Sequence, residues 1–131
     1  IPAAIGPAAL RKAALDGDPA AVYELASRAA EGRGMNRDPK LAARLFERAA
    51  AAGLTPAQYR IGSHYEKGIG VPRDVALAKL WYQRAAEKGN ARAMHNLAVL
   101  MAEGGGDKPD YAGAVDWFRR AAEHGVRDSQ Y

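Results

Sequence analysis

Leu45-Phe46-Glu47-Arg48-Ala49-Ala50-Ala51-Ala52-Gly53 is followed 36 residues later by Trp81-Tyr82-Gln83-Arg84-Ala85-Ala86-Glu87-Lys88-Gly89. After another 36 comes Trp117-Phe118-Arg119-Arg120-Ala121-Ala122-Glu123-His124-Gly125. Working backwards, Gly17 extends the same interval. A second set keeps the step: Gly32, Gly68 and Gly104, each followed two residues later by Gly34, Gly70 or Gly106. Asp38, Asp74 and Asp110 fall in register, as do Leu25, Ile61 and Leu97 with the small residues Ala26, Gly62 and Ala98 behind them. A fixed period of this length, kept without a gap, marks a repeat architecture whose units bury their apolar faces only against one another.

Each unit reads as two helices. The first spans Pro19–Glu31, Pro56–Lys67 and Arg92–Glu103, and the second Pro39–Ala52, Val75–Lys88 and Tyr111–His124. Asp18-Pro19 and Thr55-Pro56 supply a capping side chain followed by a Pro whose missing N–H costs nothing in the first turn, and Asn90 is the weaker third case. Gly32, Gly68 and Gly104 end the first helices, and Gly53, Gly89 and Gly125 the second, where a left-handed residue is needed. Asp38, Asp74 and Asp110 cap the second helices. Lys88 and His124 sit in last turns, facing the negative helix end.

The apolar spacing explains the stacking. Ala57, Ile61 and Tyr65 share a face of one first helix, and Leu77, Trp81 and Ala85 a face of the second. Small residues at Gly62 and in the Ala-Ala pairs let helices approach closely, with Trp81 and Trp117 filling the remaining space. The boundaries are a half unit at 7–17, full units at 18–53, 54–89 and 90–125, and the start of another at 126–131, where Tyr131 is in register with Tyr59. The chain therefore reads as one repeat domain cut from a longer array.

Composition narrows the function. The absence of Cys removes disulfides, thiolate metal sites and cysteine nucleophiles. Nineteen Lys and Arg against fifteen Asp and Glu leave a net charge of +4, a mild and well-mixed excess that does not point to nucleic acid. No apolar run reaches the length of a membrane span, so any membrane link would come through a span outside this sequence. Ile1-Pro2-Ala3-Ala4-Ile5-Gly6-Pro7 lacks the pattern of a signal peptide.

The string Ala57-Gln58-Tyr59-Arg60-Ile61-Gly62-Ser63-His64-Tyr65-Glu66-Lys67-Gly68-Ile69-Gly70-Val71, with Asp74, Ala78, Trp81-Tyr82, Ala85-Ala86 and Gly89, resembles the Sel-one-like repeat. That family is related to the tetratricopeptide repeat. The resemblance covers nearly the whole chain and implies an all-α fold, a right-handed α-solenoid superhelix of 36-residue helix–turn–helix units. It also implies an adaptor that binds a protein or peptide in the groove of the superhelix. Two units depart from the pattern: Ala29 and Met101 replace Tyr65, Leu45 replaces Trp, and Gly104-Gly105-Gly106-Asp107-Lys108-Pro109 lacks the Val that Val71 supplies. A narrower resemblance links Ile5-Gly6-Pro7, Ala93-Met94-His95-Asn96-Leu97-Ala98-Val99-Leu100 and Asp128-Ser129-Gln130-Tyr131 to the extracytoplasmic part of bacterial polar localisation factors of the PodJ type. It implies a periplasmic location, with the cytoplasm as the alternative.

By analogy with tetratricopeptide stacks, one face of each first helix lines the groove. The candidate partner-binding residues are Tyr23, Tyr59 and His95, then Ser27, Ser63 and Val99, then Glu31, Lys67 and Glu103. Tyr offers contact area and a hydroxyl at low entropic cost; equally, these rings can pack as core between helices. The second helices carry a basic ladder of Lys12, Arg48, Arg84 and Arg120 that could meet an acidic partner or a glycan acid. The favoured account pairs Arg84 with Glu87 and Arg120 with Glu123, their stems covering apolar surface. No aromatic platform interleaves with the ladder, which argues against nucleic acid.

His64, His95 and His124 occupy different repeat positions without metal-ligand spacing. No nucleophile elbow or phosphate loop occurs. The expectation is therefore no catalytic residue, metal or cofactor, and a non-enzymatic protein–protein interaction scaffold in bacterial signalling or polarity machinery. The alternatives are a peptidoglycan- or glycan-associated periplasmic module and, further off, a hydrolase of the β-lactamase-linked repeat type, against which the missing Cys speaks.

Overall fold

The structure, a computed structural model, describes residues 8–104 and 107–129, with side chains to residue 125. Seven helices and no strand occur among them: α1 Ala8–Leu15, α2 Pro19–Glu31, α3 Pro39–Ala51, α4 Thr55–Lys67, α5 Val75–Glu87, α6 Ala91–Glu103 and α7 Tyr111–Ser129. Each helix packs on its sequence neighbours. The contacts are most extensive within the pairs α2/α3, α4/α5 and α6/α7, and they continue across α3/α4 and α5/α6. This is the linear stacking of an α-solenoid.

The turn inside each unit is tied at one aspartate. The Asp38 carboxylate accepts from the Leu41 N–H at 3.1 Å, Asp74 from Leu77 at 3.0 Å and Asp110 from Gly113 at 2.9 Å. The backbone N–H of the same three residues donates back to Ala29, Tyr65 and Met101 on the preceding helix at 2.9, 2.9 and 2.8 Å. One residue thus caps the second helix and anchors the first. Between units, Gly17, Gly53 and Gly89 take φ near +92°, +97° and +96°, and the next backbone N–H returns to Ala13, Ala49 or Ala85.

Several details differ from the sequence reading. Thr55 is the first residue of α4 rather than its cap, and Leu54 before it offers no side-chain acceptor. Asn90, the weaker case in sequence, does cap, its Oδ1 accepting from the Ala93 N–H at 2.9 Å. Lys88 does not serve its own helix end; its Nζ donates 2.6 Å to the Gly53 carbonyl in the turn one unit earlier, joining two units. Helix α7 runs through Gly125 to Ser129, so no new helix starts at Val126. A Cβ at Gly53 would meet Lys88 Nζ at 3.5 Å and one at Gly89 His124 Cε1 at 3.8 Å, whereas one at Gly125 would meet nothing within 4 Å. Ile5-Gly6-Pro7, Gly105-Gly106 and Gln130-Tyr131 lie outside the described residues.

The core forms two clusters that meet at α5. Trp81 is 8% exposed and belongs to the first, with Leu25, Phe46 and Ile61; its neighbour Tyr82 is fully buried in the second, with Met94, Leu97 and Leu100. Leu77 is only half-buried, as is Trp117, so neither fills core space as the spacing suggested. The ring of Tyr82 instead occupies the space that Gly62 leaves: a Cβ at Gly62 would come within 2.8 Å of the Tyr82 ring. A Gly inside a helix costs about 1 kcal/mol relative to Ala, and here it is required by the close approach. Gly70 is similarly constrained, since a Cβ there would collide with the Pro39 carbonyl of the preceding unit.

Gln58 is the one poor fit among the described core residues. It is 4% exposed, and its Nε2 donates 3.2 Å to the Ala50 carbonyl while Oε1 has no partner. The neighbouring units place Val22 and Met94 there.

Three stability outcomes follow, each measured by urea denaturation. Gly62→Ala is expected to lose about 1–3 kcal/mol despite the better helix former, because Tyr82 must move. Gln58→Met is expected to gain about 1 kcal/mol by removing an unpaired buried oxygen. Trp81→Ala is expected to cost about 3–5 kcal/mol and Trp117→Ala clearly less.

Candidate functional site

The candidate groove residues are built on the three first helices α2, α4 and α6. Tyr23, Tyr59 and His95 stand on their first halves, and each meets an aromatic ring 23 residues further on, on the second helix of its own unit. Tyr23 lies edge-on to Phe46 at 5.5 Å between centroids, Tyr59 is tilted against Tyr82 at 5.9 Å, and His95 is edge-on to Phe118 at 5.5 Å. The two tyrosines are half-buried and His95 is exposed. Each ring thus packs on a second helix while keeping part of its surface exposed.

The second row divides. Ser27 is 5% exposed and so presents almost no surface to a partner, contrary to the expectation. Ser63 is half-buried and hydrogen-bonded to Tyr82, and Val99 is half-buried. In the third row Glu31, Lys67 and Glu103 are all exposed at the far ends of their helices, with Glu31 held 3.0 Å from Arg33.

Two adjoining concavities run along the first halves of these helices. The first, of about 440 Å³, is bounded by Tyr23, Pro56, Tyr59, Arg60, Asn90 and Arg92. The second, of about 480 Å³, is bounded by Arg92, His95, Phe118 and Ala122, and the two share Ala91 and Arg92. Tyr23, Tyr59 and His95 are thus brought onto one continuous trough, while Lys67 and Glu103 are not among its walls. Sequence reasoning missed Arg60 and Arg92. Neither recurs: Glu24 and Asn96 stand in register with Arg60, and Ala20 and Pro56 with Arg92. A break in the period was the available signal.

Arg60 lays its guanidinium 4.5 Å from the centroid of Phe46, a stacking that fixes the group while leaving its N–H edge outward. The basic ladder behaves otherwise than expected. Arg84 stacks on Trp81 at 4.8 Å, and Arg120 stacks on Trp117 at 4.7 Å and pairs with Asp116 at 3.3 Å. Lys12 pairs with Asp16 at 3.3 Å. The expected pairs with Glu87 and Glu123 are not among the ion pairs of the described residues; the stacking is what lays these stems over apolar surface. Arg48 borders a separate concavity of about 510 Å³ with Arg44, Glu47 and Tyr65.

Two phenols and one imidazole are tuned by burial behind this face. The Tyr65 hydroxyl donates 2.5 Å to Glu47 across the unit boundary, and that bond, aided by burial, holds its pKa up at about 12. Burial, followed by a 2.6 Å bond to Glu66, raises Tyr82 further. His64 is 7% exposed against Phe46, with Nδ1 2.9 Å from the Ile69 carbonyl, so Nδ1 carries the proton. Burial lowers its pKa, the Ile69 bond opposes this, and the charges of Arg60 and Lys67 lower it further. No group of three or more His, Asp or Glu converges as a metal cage among the described residues. No helix among them is long and apolar enough to cross a membrane.

Fold and trough together define an α-solenoid of the kind that generally serves as a protein–protein interaction scaffold. The sequence matches the Sel1 repeat three times in succession, over residues 19–54, 55–90 and 91–126. The chain belongs to the Sel1 repeat family. It is similar to the crystal structure of a Sel1 repeat protein from Oxalobacter formigenes, with 37% identity and a TM-score of 0.77 over 84% of this chain and 45% of that one. It is also similar to a protective antigen of uropathogenic Escherichia coli strains with an SLR fold, with 44% identity and a TM-score of 0.84 over 89% of this chain and 25% of that one. The Helicobacter pylori cysteine rich protein B shares the fold at 20% identity and a TM-score of 0.61, over 64% of this chain and 63% of that one. The chain thus spans less than half the length of the first two. No curated protein sequence matches it. None of the three bears the name of a polar localisation factor.

Neutral His64 gives a pH signature. Its contribution is fully present above the unfolded pKa of about 6.5 and is lost as pH falls through the lower folded value, where the unfolded chain binds the extra proton. The expected outcome is a loss of stability on acidification from pH 7 that is shallower in His64→Leu, a substitution that copies Leu100 in the next unit. Equal slopes in urea titrations of the two chains would disprove the assignment.

Proposed function

We propose that this chain is a non-enzymatic scaffold that holds a protein partner, as an extended peptide or a helix, in the trough along α2, α4 and α6. The observation that carries this reading is the continuity of the two concavities through Arg92, with Tyr23, Tyr59 and His95 presented along them. Half-buried tyrosines rigidified by a neighbouring ring bring contact area without the entropy loss of a free side chain. Catalysis is not part of the proposal: the chain has no Cys, and its candidate acids are used as caps and in ion pairs.

A place in bacterial signalling or polarity machinery, and a periplasmic location, belong to the same proposal and rest on the resemblance to polar localisation factors. The cell-wall alternative has less support, because Lys12 and Arg120 in the ladder are already paired with Asp16 and Asp116.

Site-resolved photocrosslinking tests the reading. A photoreactive residue at exposed His95 or Ala122 is expected to give a discrete protein adduct in cells of origin, and one at exposed Gln83 or Arg119 is not. Adducts only from Gln83 and Arg119, or none from any position, would count against the trough.

A further inference from the structure

We infer that the first concavity is an anion cradle that seats a carboxylate side chain of the partner, so that the segment held in the trough is acidic. The inference rests on the trough being the binding face. Two cations border this concavity, Arg60 from α4 and Arg92 from the first turn of α6, and no acidic side chain does. Neither guanidinium has a carboxylate within ion-pair distance among the described residues. Lys12, Arg28, Arg33, Lys79 and Arg120 are each matched with an Asp or Glu, and other cations such as Lys40 and Arg119 have no such match among the described residues; what sets Arg60 and Arg92 apart is that they share one hollow bordered by no acid. Two cations left unmatched in one hollow of a protein with a charge of only +4 are a local excess that an anion would neutralise.

The other walls suit the same guest. Asn90 caps α6 through the Ala93 N–H, which leaves the N–H groups of Ala91 and Arg92 without intrahelical acceptors at the positive end of the helix. Tyr23 and Tyr59 add two phenol hydroxyls, for which no acceptor occurs among the described residues. Arg60 is held by its stacking on Phe46, so its planar fork is set before a ligand arrives and matches a planar carboxylate. A volume of about 440 Å³ takes one or two side chains rather than a run of nucleotides. The inner edges of both tyrosine rings are already engaged by Phe46 and Tyr82, so the hollow offers no base-stacking platform.

The test is selection from a phage library of random dodecapeptides on the intact chain. Expected is enrichment of Asp and Glu at least twofold over the unselected library. The same selection on the Arg60→Gln/Arg92→Gln chain should lose that enrichment, and on the Arg48→Gln/Arg84→Gln/Arg120→Gln chain should keep it. The strongest peptide, made with an amidated C-terminus, should lose at least tenfold in affinity when its acids become amides, and as much on Arg92→Gln. Because Arg92 is exposed, that single variant keeps the test valid if Arg60→Gln, which uncovers Phe46, impairs folding. Peptides without acidic enrichment, or enrichment that survives loss of Arg60 and Arg92 or vanishes with the ladder, would overturn the cradle and leave the trough standing. Selection of no peptide at all would overturn the cradle and count against the trough as well.

Discussion

The ring of Tyr82 lies so close to the backbone of α4 that only Gly62 fits beneath it. Phe46 is likewise fully buried, its ring in contact with Tyr23 of α2 and His64 of α4, with Arg60 above it. These two rings are where α3 and α5 are gripped by the first helices on either side. Spacing between helices, position of the trough and conformation of the groups that line it all depend on that contact. An α-solenoid has no long-range closure to hold it, so its stability is the sum of such neighbour contacts. Polar ties across the same boundaries, Tyr65 to Glu47 and Lys88 to Gly53, orient the units rather than drive their association.

The proposed binding face is a by-product of this stacking. Tyr23, Tyr59 and His95 use one edge to pack on a second-helix ring and leave the other edge outward. A residue that is half core and half surface is rigid without being buried, which is what a recognition surface needs. Arg60 extends the principle to charge, since its stem and one face belong to the core while its donors do not.

Resemblance between units and individuality of units therefore have different jobs. Repeated residues make the fold, and any Sel1 repeat stack will have them. The residues that would distinguish this chain's partner are those that interrupt the period, Arg60 and Arg92 above all. A repeat-based reading finds the first kind easily and averages away the second. The basic ladder is periodic, and two of its members, Lys12 and Arg120, are each paired with an aspartate.

The period, the helix pairs and the aspartate hinges were legible in the sequence because they are local. A left-handed turn needs Gly, a helix start needs a short acceptor, and such demands act over three or four residues. Where local signals tied, as between Thr55 and Asn90, the sequence ranked them wrongly, because the path of the preceding chain decides which residue reaches the orphan N–H groups. Ser27 and Leu77 show the same limit, their exposure being set by a facing helix. The continuation of α7 through Gly125 shows that a permissive residue allows a break without forcing one. Only the tertiary structure could decide which cations are paired with a carboxylate and which share a hollow without one, because that depends on neighbours brought together from three separate helices.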